Sequence, residues 1–170
     1  MARRLFTFAI LVLLGACDDA PRSTGATTST GALQANATVV YVTDGDTIEV
    51  DFDGTQERVR LIGIDTPETK KPDTPVQCFG PEATAFTESL LPVGTPVYLE
   101  RDVEARDPYG RLLAYVYLAG DGTFVNLQIV AEGYAQPLTI APNVAHSTEF
   151  VAAARAAEAA NLGLWARCTG

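Results

Sequence analysis

Three charges close an apolar run. In RVRLIGIDTPET, residues 58–69, Arg60 lies inside the run, and Asp65 and Glu68 flank Pro67 at its end. Strand alternation places Arg60 on the face of Ile62 and Ile64, where a guanidinium is costly unless an anion meets it. A structural ion pair or a phosphate ligand would each satisfy that need, and Arg60 alone leaves both open. Pro67 cannot donate to a sheet ladder, so Asp65 falls at a strand end, where barrel sites are commonly built. VTDGDTIEV brings a second acidic corner; a D-G-D turn by itself is ordinary hairpin chemistry. Asp46 and Asp65 on neighbouring strand ends would repel unless a cation or a proton lay between them. Hard oxygen donors of this kind suit Ca²⁺ or Mg²⁺, and no soft cluster for zinc is present. DPYGRLLAY adds Arg111 after a turn. Two arginine forks and a divalent cation answer the charge that builds on a phosphodiester under attack, and Glu68 beside them could take a proton from water. Nucleophilic catalysis by a Cys–His pair finds no support, and the single histidine, His146, is expected at the surface or at a helix cap.

Those residues need a frame. TVVYVTDGDTIEVDFDGTQERVRLIGI reads as three strands joined by turns at Asp44-Gly45 and Asp53-Gly54. Gly80-Pro81 opens a helix with Ala83, Phe86 and Leu90 on one face. PVYLER and LLAYVYL read as two more strands across the polar loop DVEARDPYGR. Asp121-Gly122 turns into a short helix, FVNLQIVAEG, ended by Gly133. STEFVAAARAAEAANLG gives a last helix that buries Phe150, Ala153, Ala154 and Ala157 and stops at Gly163. Five strands with helices inserted and appended predict an α+β fold, a small five-stranded barrel of the OB type. Three sandwiched strands with packing helices are the alternative.

The chain has 170 residues, 47% of them apolar, and a net charge of −9. At its start, ARR and the apolar run LFTFAILVLL lead to LGAC, the pattern of a bacterial lipoprotein signal. The expected division is a signal over 1–16, a lipidated Cys17 with a Ser/Thr/Gly-rich tether over 17–36, and one domain over 37–170. A plain secretory signal is the alternative; the apolar run is too short to span a bilayer. Without Arg3 and Arg4, 10 basic residues face 21 acidic ones. Long-range attraction to a polyanion is then excluded, and any such site must be local. Cys78 and Cys168 are an even pair in an exported chain, which favours a disulfide over two buried thiols.

DGDT, RLIGIDTPET, FGPEATAF and DPYGRLLAY, in that order, with VNLQIVAEGYA and LGLW after them, resemble the staphylococcal-nuclease-like (thermonuclease) family over about residues 37–167. The resemblance implies an OB-fold barrel with three helices and Ca²⁺-dependent hydrolysis of DNA and RNA at the P–O5′ bond, leaving 3′-phosphates. It implies that Asp46 and Asp65 bind calcium through carboxylates and Thr66 through its carbonyl. Glu68 would be the general base, Arg60 and Arg111 would bind phosphate, and Tyr109 would lie near the nucleotide phosphate. Lys70 and Lys71 would add local attraction. A membrane-tethered monomer facing the periplasm or the exterior is expected, with a non-catalytic OB-fold lipoprotein that binds nucleic acid or protein as the alternative. One departure stands out: where the family carries base-stacking tyrosines, this chain has AQPLTIAPN, with only Tyr134 before it.

Overall fold

The structure is a computed structural model that describes residues 32–70 and 74–168. The expected signal, Cys17, most of the tether and Lys71 lie outside these residues. Strand β1 (Ala37–Asp44), β2 (Thr47–Phe52) and β3 (Thr55–Leu61) form the expected meander. Their inward positions are Val39, Val42, Ile48, Val50, Val59 and Leu61, all buried. The second turn is tight because the Gly54 N–H donates to Asp51 Oδ1 at 2.9 Å, an Asx-type closure. Further on come β5 (Pro96–Glu100) and β6 (Leu112–Leu118). β6 pairs in parallel with β3 and antiparallel with β5, and β5 returns to β1. The closed order is β1-β2-β3-β6-β5, the OB-type barrel expected.

The opening run is not one continuous strand. β3 ends at Leu61 and a separate short strand, β4 (Gly63–Asp65), follows. β4 pairs with β7 (Gln136–Leu138), outside the barrel. Despite the break at Ile62, Arg60 still lines one cavity with Ile62 and Ile64, on the side the alternation predicts. Val59 and Leu61 face the barrel interior, and Arg60 points to the opposite side. Gly63 makes the break possible: its φ is 83°, and a Cβ there would sit 2.2 Å from the Phe150 ring. The carbonyl freed at Ile62 accepts the Asn126 side-chain N–H at 2.9 Å, and Asn126 Oδ1 accepts the Val116 N–H at 2.9 Å. Asn126 is fully buried and pins the break to the barrel wall.

Helix α1 (Gly80–Leu90) opens with Pro81 in its first turn, as expected. α2 (Val125–Ala131) carries Asn126 and packs on α3 (Ser147–Ala159) through Ile129, Val130, Phe150 and Ala154. A fourth helix, the single turn α4 (Leu164–Arg167), was not expected; its first N–H donates to the Gly133 carbonyl at 2.8 Å. His146 occupies the N-cap position of α3 without capping through its side chain. Its ring instead packs edge-on against Tyr115 at 4.5 Å.

Candidate active site

The hairpin turn between β1 and β2 brings Asp46 to the mouth of the barrel. It is fixed from two directions. The Thr87 hydroxyl of α1 donates to the Gly45 carbonyl at 2.7 Å. Gly45 also packs so closely on Thr66 that a Cβ would meet that side chain at 2.8 Å. Asp46 is thereby buried at 7% exposure. Its carboxylate accepts the Thr66 N–H at 3.0 Å and the Thr47 hydroxyl at 3.1 Å.

Arg60 reaches across from β3. Its Nη2 lies 3.0 Å from Asp46 Oδ2 and 3.2 Å from Asp65 Oδ1, and its Nη1 donates to the Leu61 carbonyl. The anions that Arg60 meets are thus the carboxylates of the site itself. Arg111, at the entrance to β6, is aimed by Asp107. Arg111 Nε donates to Asp107 Oδ2 at 2.7 Å, and the Arg111 backbone N–H donates to Asp107 Oδ1 at 2.9 Å. Burial opposes ionisation of Asp107, but these hydrogen bonds outweigh it and hold its carboxyl below the usual carboxylate range. The exposed ring of Tyr109 lies 5.7 Å from the Arg111 guanidinium.

Glu68 follows β4. One of its carboxylate oxygens accepts the N–H groups of Thr69 and Lys70, each at 3.0 Å. Lys70 Nζ donates to the Tyr41 hydroxyl at 3.1 Å and stays beside the site on the Tyr41 ring. A single cleft of about 510 Å³ is lined by Asp46, Asp65, Thr66, Glu68, Arg60 and Arg111, with Tyr109 and Lys70 at its rim. Every described residue expected at the site therefore meets in one place.

Further residues of the site escaped the sequence reading. Asp44 is the most informative. Burial, then the charges of Asp46 and Glu68, push its carboxyl up to about 6. The cleft gathers Asp44, Asp46, Asp65 and Glu68 beside Arg58, Arg60, Arg111 and Lys70, and carboxylates this close repel unless a cation or a proton lies between them. The donors are all hard oxygens, so the residues fit Ca²⁺ or Mg²⁺. Among the described residues no three His, Cys, Asp or Glu side chains converge tightly enough to enclose a metal by themselves. Arg58 also lines the cleft, and Asp107 aims Arg111. Their signals were present as the first Asp of DGDT, the first Arg of RVR and the Asp of DPYGR, each of which also reads as an ordinary turn or surface residue.

A second cavity of about 300 Å³ adjoins the first and shares Arg60, Tyr109 and Arg111 with it. Its wall is aliphatic, with Leu138 and Ile140 contributed by AQPLTIAPN and Ile62 and Leu113 opposite. Tyr134 is not there: it stacks on Phe86 at 4.1 Å and on Phe79 at 5.2 Å, away from the cleft.

Residues 58–167 match the family model described as staphylococcal nuclease homologue. The chain belongs to the staphylococcal nuclease family. It is 47% identical over 129 residues to a thermonuclease of Staphylococcus intermedius, covering 76% of this chain and 75% of that one. A thermonuclease of Staphylococcus hyicus is 42% identical over 127 residues, 75% of this chain and 73% of the other. The endonuclease YncB of Bacillus subtilis is 38% identical over 134 residues, 78% of this chain and 62% of its own length. For a member of this family, the cleft lined from β1, β2, β3, β4 and the loop before β6 is where nuclease chemistry would be sought.

Proposed function

We propose that this chain is an exported, calcium-dependent nuclease that hydrolyses phosphodiester bonds of DNA and RNA and leaves 3′-phosphate ends. The observation that carries the reading is the convergence of Arg60, Arg111, Glu68 and the Asp46/Asp65 pair in one cleft of a staphylococcal-nuclease barrel. Asp46, Asp65 and the Thr66 carbonyl are the groups that would hold Ca²⁺, which when bound neutralises phosphate charge as a Lewis acid. Arg60 and Arg111 present guanidinium forks to the non-bridging oxygens, whose charge grows in the transition state. Glu68 accepts a proton from the attacking water. Tyr109 and Lys70 steer the neighbouring phosphate. The aliphatic cavity beside the cleft receives a base by apolar contact rather than by aromatic stacking, which is worth about 1–3 kcal/mol per base elsewhere.

Export through a lipoprotein signal and anchoring at Cys17 remain part of this proposal. The Cys78–Cys168 disulfide supports an oxidising compartment. A monomer suffices, because one chain supplies all the groups named. The direct test of the chemistry is Glu68→Gln. Hydrolysis of single-stranded DNA should fall by roughly 10²- to 10⁴-fold, and the products of the unaltered protein should lose phosphate from their 3′ ends on phosphatase treatment. Full activity in the variant would remove Glu68 from the mechanism, and 5′-phosphate products would overturn the bond assignment.

A further inference from the structure

Glu68 has no regular secondary structure around it to hold its place. Its support comes from a residue nine positions along the chain. Gln77 Oε1 accepts the Glu68 N–H at 2.9 Å, and the Gln77 N–H donates to the Glu68 carbonyl at 2.9 Å. Both backbone polar groups of Glu68 are thus held by one partner. Gln77 is itself exposed and lies in an irregular segment, so something else must hold it. The next residue, Cys78, is bonded to Cys168. Cys168 caps α4, where its N–H donates to the Leu164 carbonyl at 2.9 Å, and Leu164 is tied to Gly133 at the end of α2. On the other side, Phe79 stacks on Tyr134 and leads directly into α1. The segment that braces Glu68 is therefore anchored covalently to one packed element and by an aromatic contact to another.

We propose that Gln77 and the Cys78–Cys168 disulfide form a brace that positions Glu68 for proton abstraction. Gln77 acts as a positioning residue, and the disulfide fixes Gln77. This rests on the reading of Glu68 as the proton acceptor. A base must lie within hydrogen-bond reach of the water it deprotonates, about 2.6–3.2 Å. Misplacement by about 1 Å can cost up to roughly 100-fold in rate. Loss of the brace should consequently lower the chemical step and spare substrate binding, which depends on Arg60, Arg111 and Lys70. Cys78 is exposed, so a dithiol such as dithiothreitol can reach the bridge. Two electrons and two protons from the reductant yield two thiols, and the reductant leaves as its cyclic disulfide.

The test uses Gln77→Ala, Gln77→Glu and the paired Cys78→Ser/Cys168→Ser variant, each alone and combined with Glu68→Gln. Rates on single-stranded DNA with Ca²⁺ are measured below the unfolding midpoint of every variant. Gln77→Ala and the serine pair should each lower kcat about tenfold and leave KM within about twofold. Gln77→Glu keeps an acceptor oxygen for the Glu68 N–H and should stay within about threefold of the unaltered protein. In the Glu68→Gln background neither change should lower the residual rate further. Unchanged kcat in Gln77→Ala and in the serine pair would overturn the brace, as would an equal loss in both backgrounds, which marks a merely structural role. Undiminished activity of Glu68→Gln alone is a separate outcome; it would remove the base, and the brace with it.

Discussion

Arg60→Met separates what this guanidinium does for the fold from what it does for the reaction. The side chains of Arg60 and Asp46 are only 13% and 10% exposed and lie 3.0 Å apart. Removing one partner of such a pair leaves a buried carboxylate, which elsewhere costs about 3–5 kcal/mol. Here Asp46 keeps the Thr66 N–H and the Thr47 hydroxyl, so the low end of that range, about 3 kcal/mol, applies. The contact with Asp65 adds less than about 1 kcal/mol, because that side chain is 61% exposed and screened. For the reaction, loss of a preorganised donor to a developing oxyanion costs about 10²- to 10³-fold in kcat. The effect on calcium should have the opposite sign. Asp46 and Asp65 lose their resident cation, so Ca²⁺ should bind at least as tightly and restore part of the missing stability. Urea unfolding in chelator and in Ca²⁺, combined with rates on single-stranded DNA, reads all three effects. A variant within about 0.5 kcal/mol of the unaltered stability, or within threefold of its kcat, would refute the reasoning.

Three further outcomes follow from the frame. The cysteines of the disulfide are 90 positions apart, for which loop-closure entropy gives about 4–5 kcal/mol; reduction should lower the thermal midpoint by about 15 °C, and an unchanged melt would contradict this. Asn126→Ala leaves the Val116 N–H and the Ile62 carbonyl buried without a side-chain partner and should cost about 2–4 kcal/mol in urea unfolding. The Tyr115 phenol is pushed up to about 12, chiefly by burial and then by Asp102. Its folded pKa lies above the unfolded value of 10.0, so the stability it contributes is complete below about pH 10 and is lost as pH rises toward 12. Tyr115→Phe should flatten that alkaline edge in a stability-versus-pH series.

The long elements were legible because their signals are local. Asp53-Gly54 names a hairpin, Gly80-Pro81 names a helix start, and the Val/Ile alternation of β1 to β3 names an inward face. The break at Ile62 was not legible, because it depends on Phe150 and Asn126, residues far along the chain that close on Gly63 and Ile62. The three-residue strands β4 and β7 and the one-turn α4 escaped for the same reason: each exists through tertiary partners rather than through its own pattern. At the site, Asp46, Asp65, Glu68, Arg60 and Arg111 could be gathered from sequence because each sits in a motif with unusual charge placement. Asp44, Asp107 and Gln77 could not. Their residue types are at home in turns and on surfaces, and only the fold shows Asp44 half-buried beside Asp46, Asp107 gripping Arg111 and Gln77 holding Glu68.

The central claim is that this acidic barrel cuts phosphodiesters with the help of calcium. It is tested most directly by following the hydrolysis of single-stranded DNA by the full chain in Ca²⁺, after chelation, and after Ca²⁺ is restored. The account predicts cleavage that stops on chelation and returns with the metal. Cleavage that continues unchanged in chelator, or no cleavage under any of the three conditions, would contradict it.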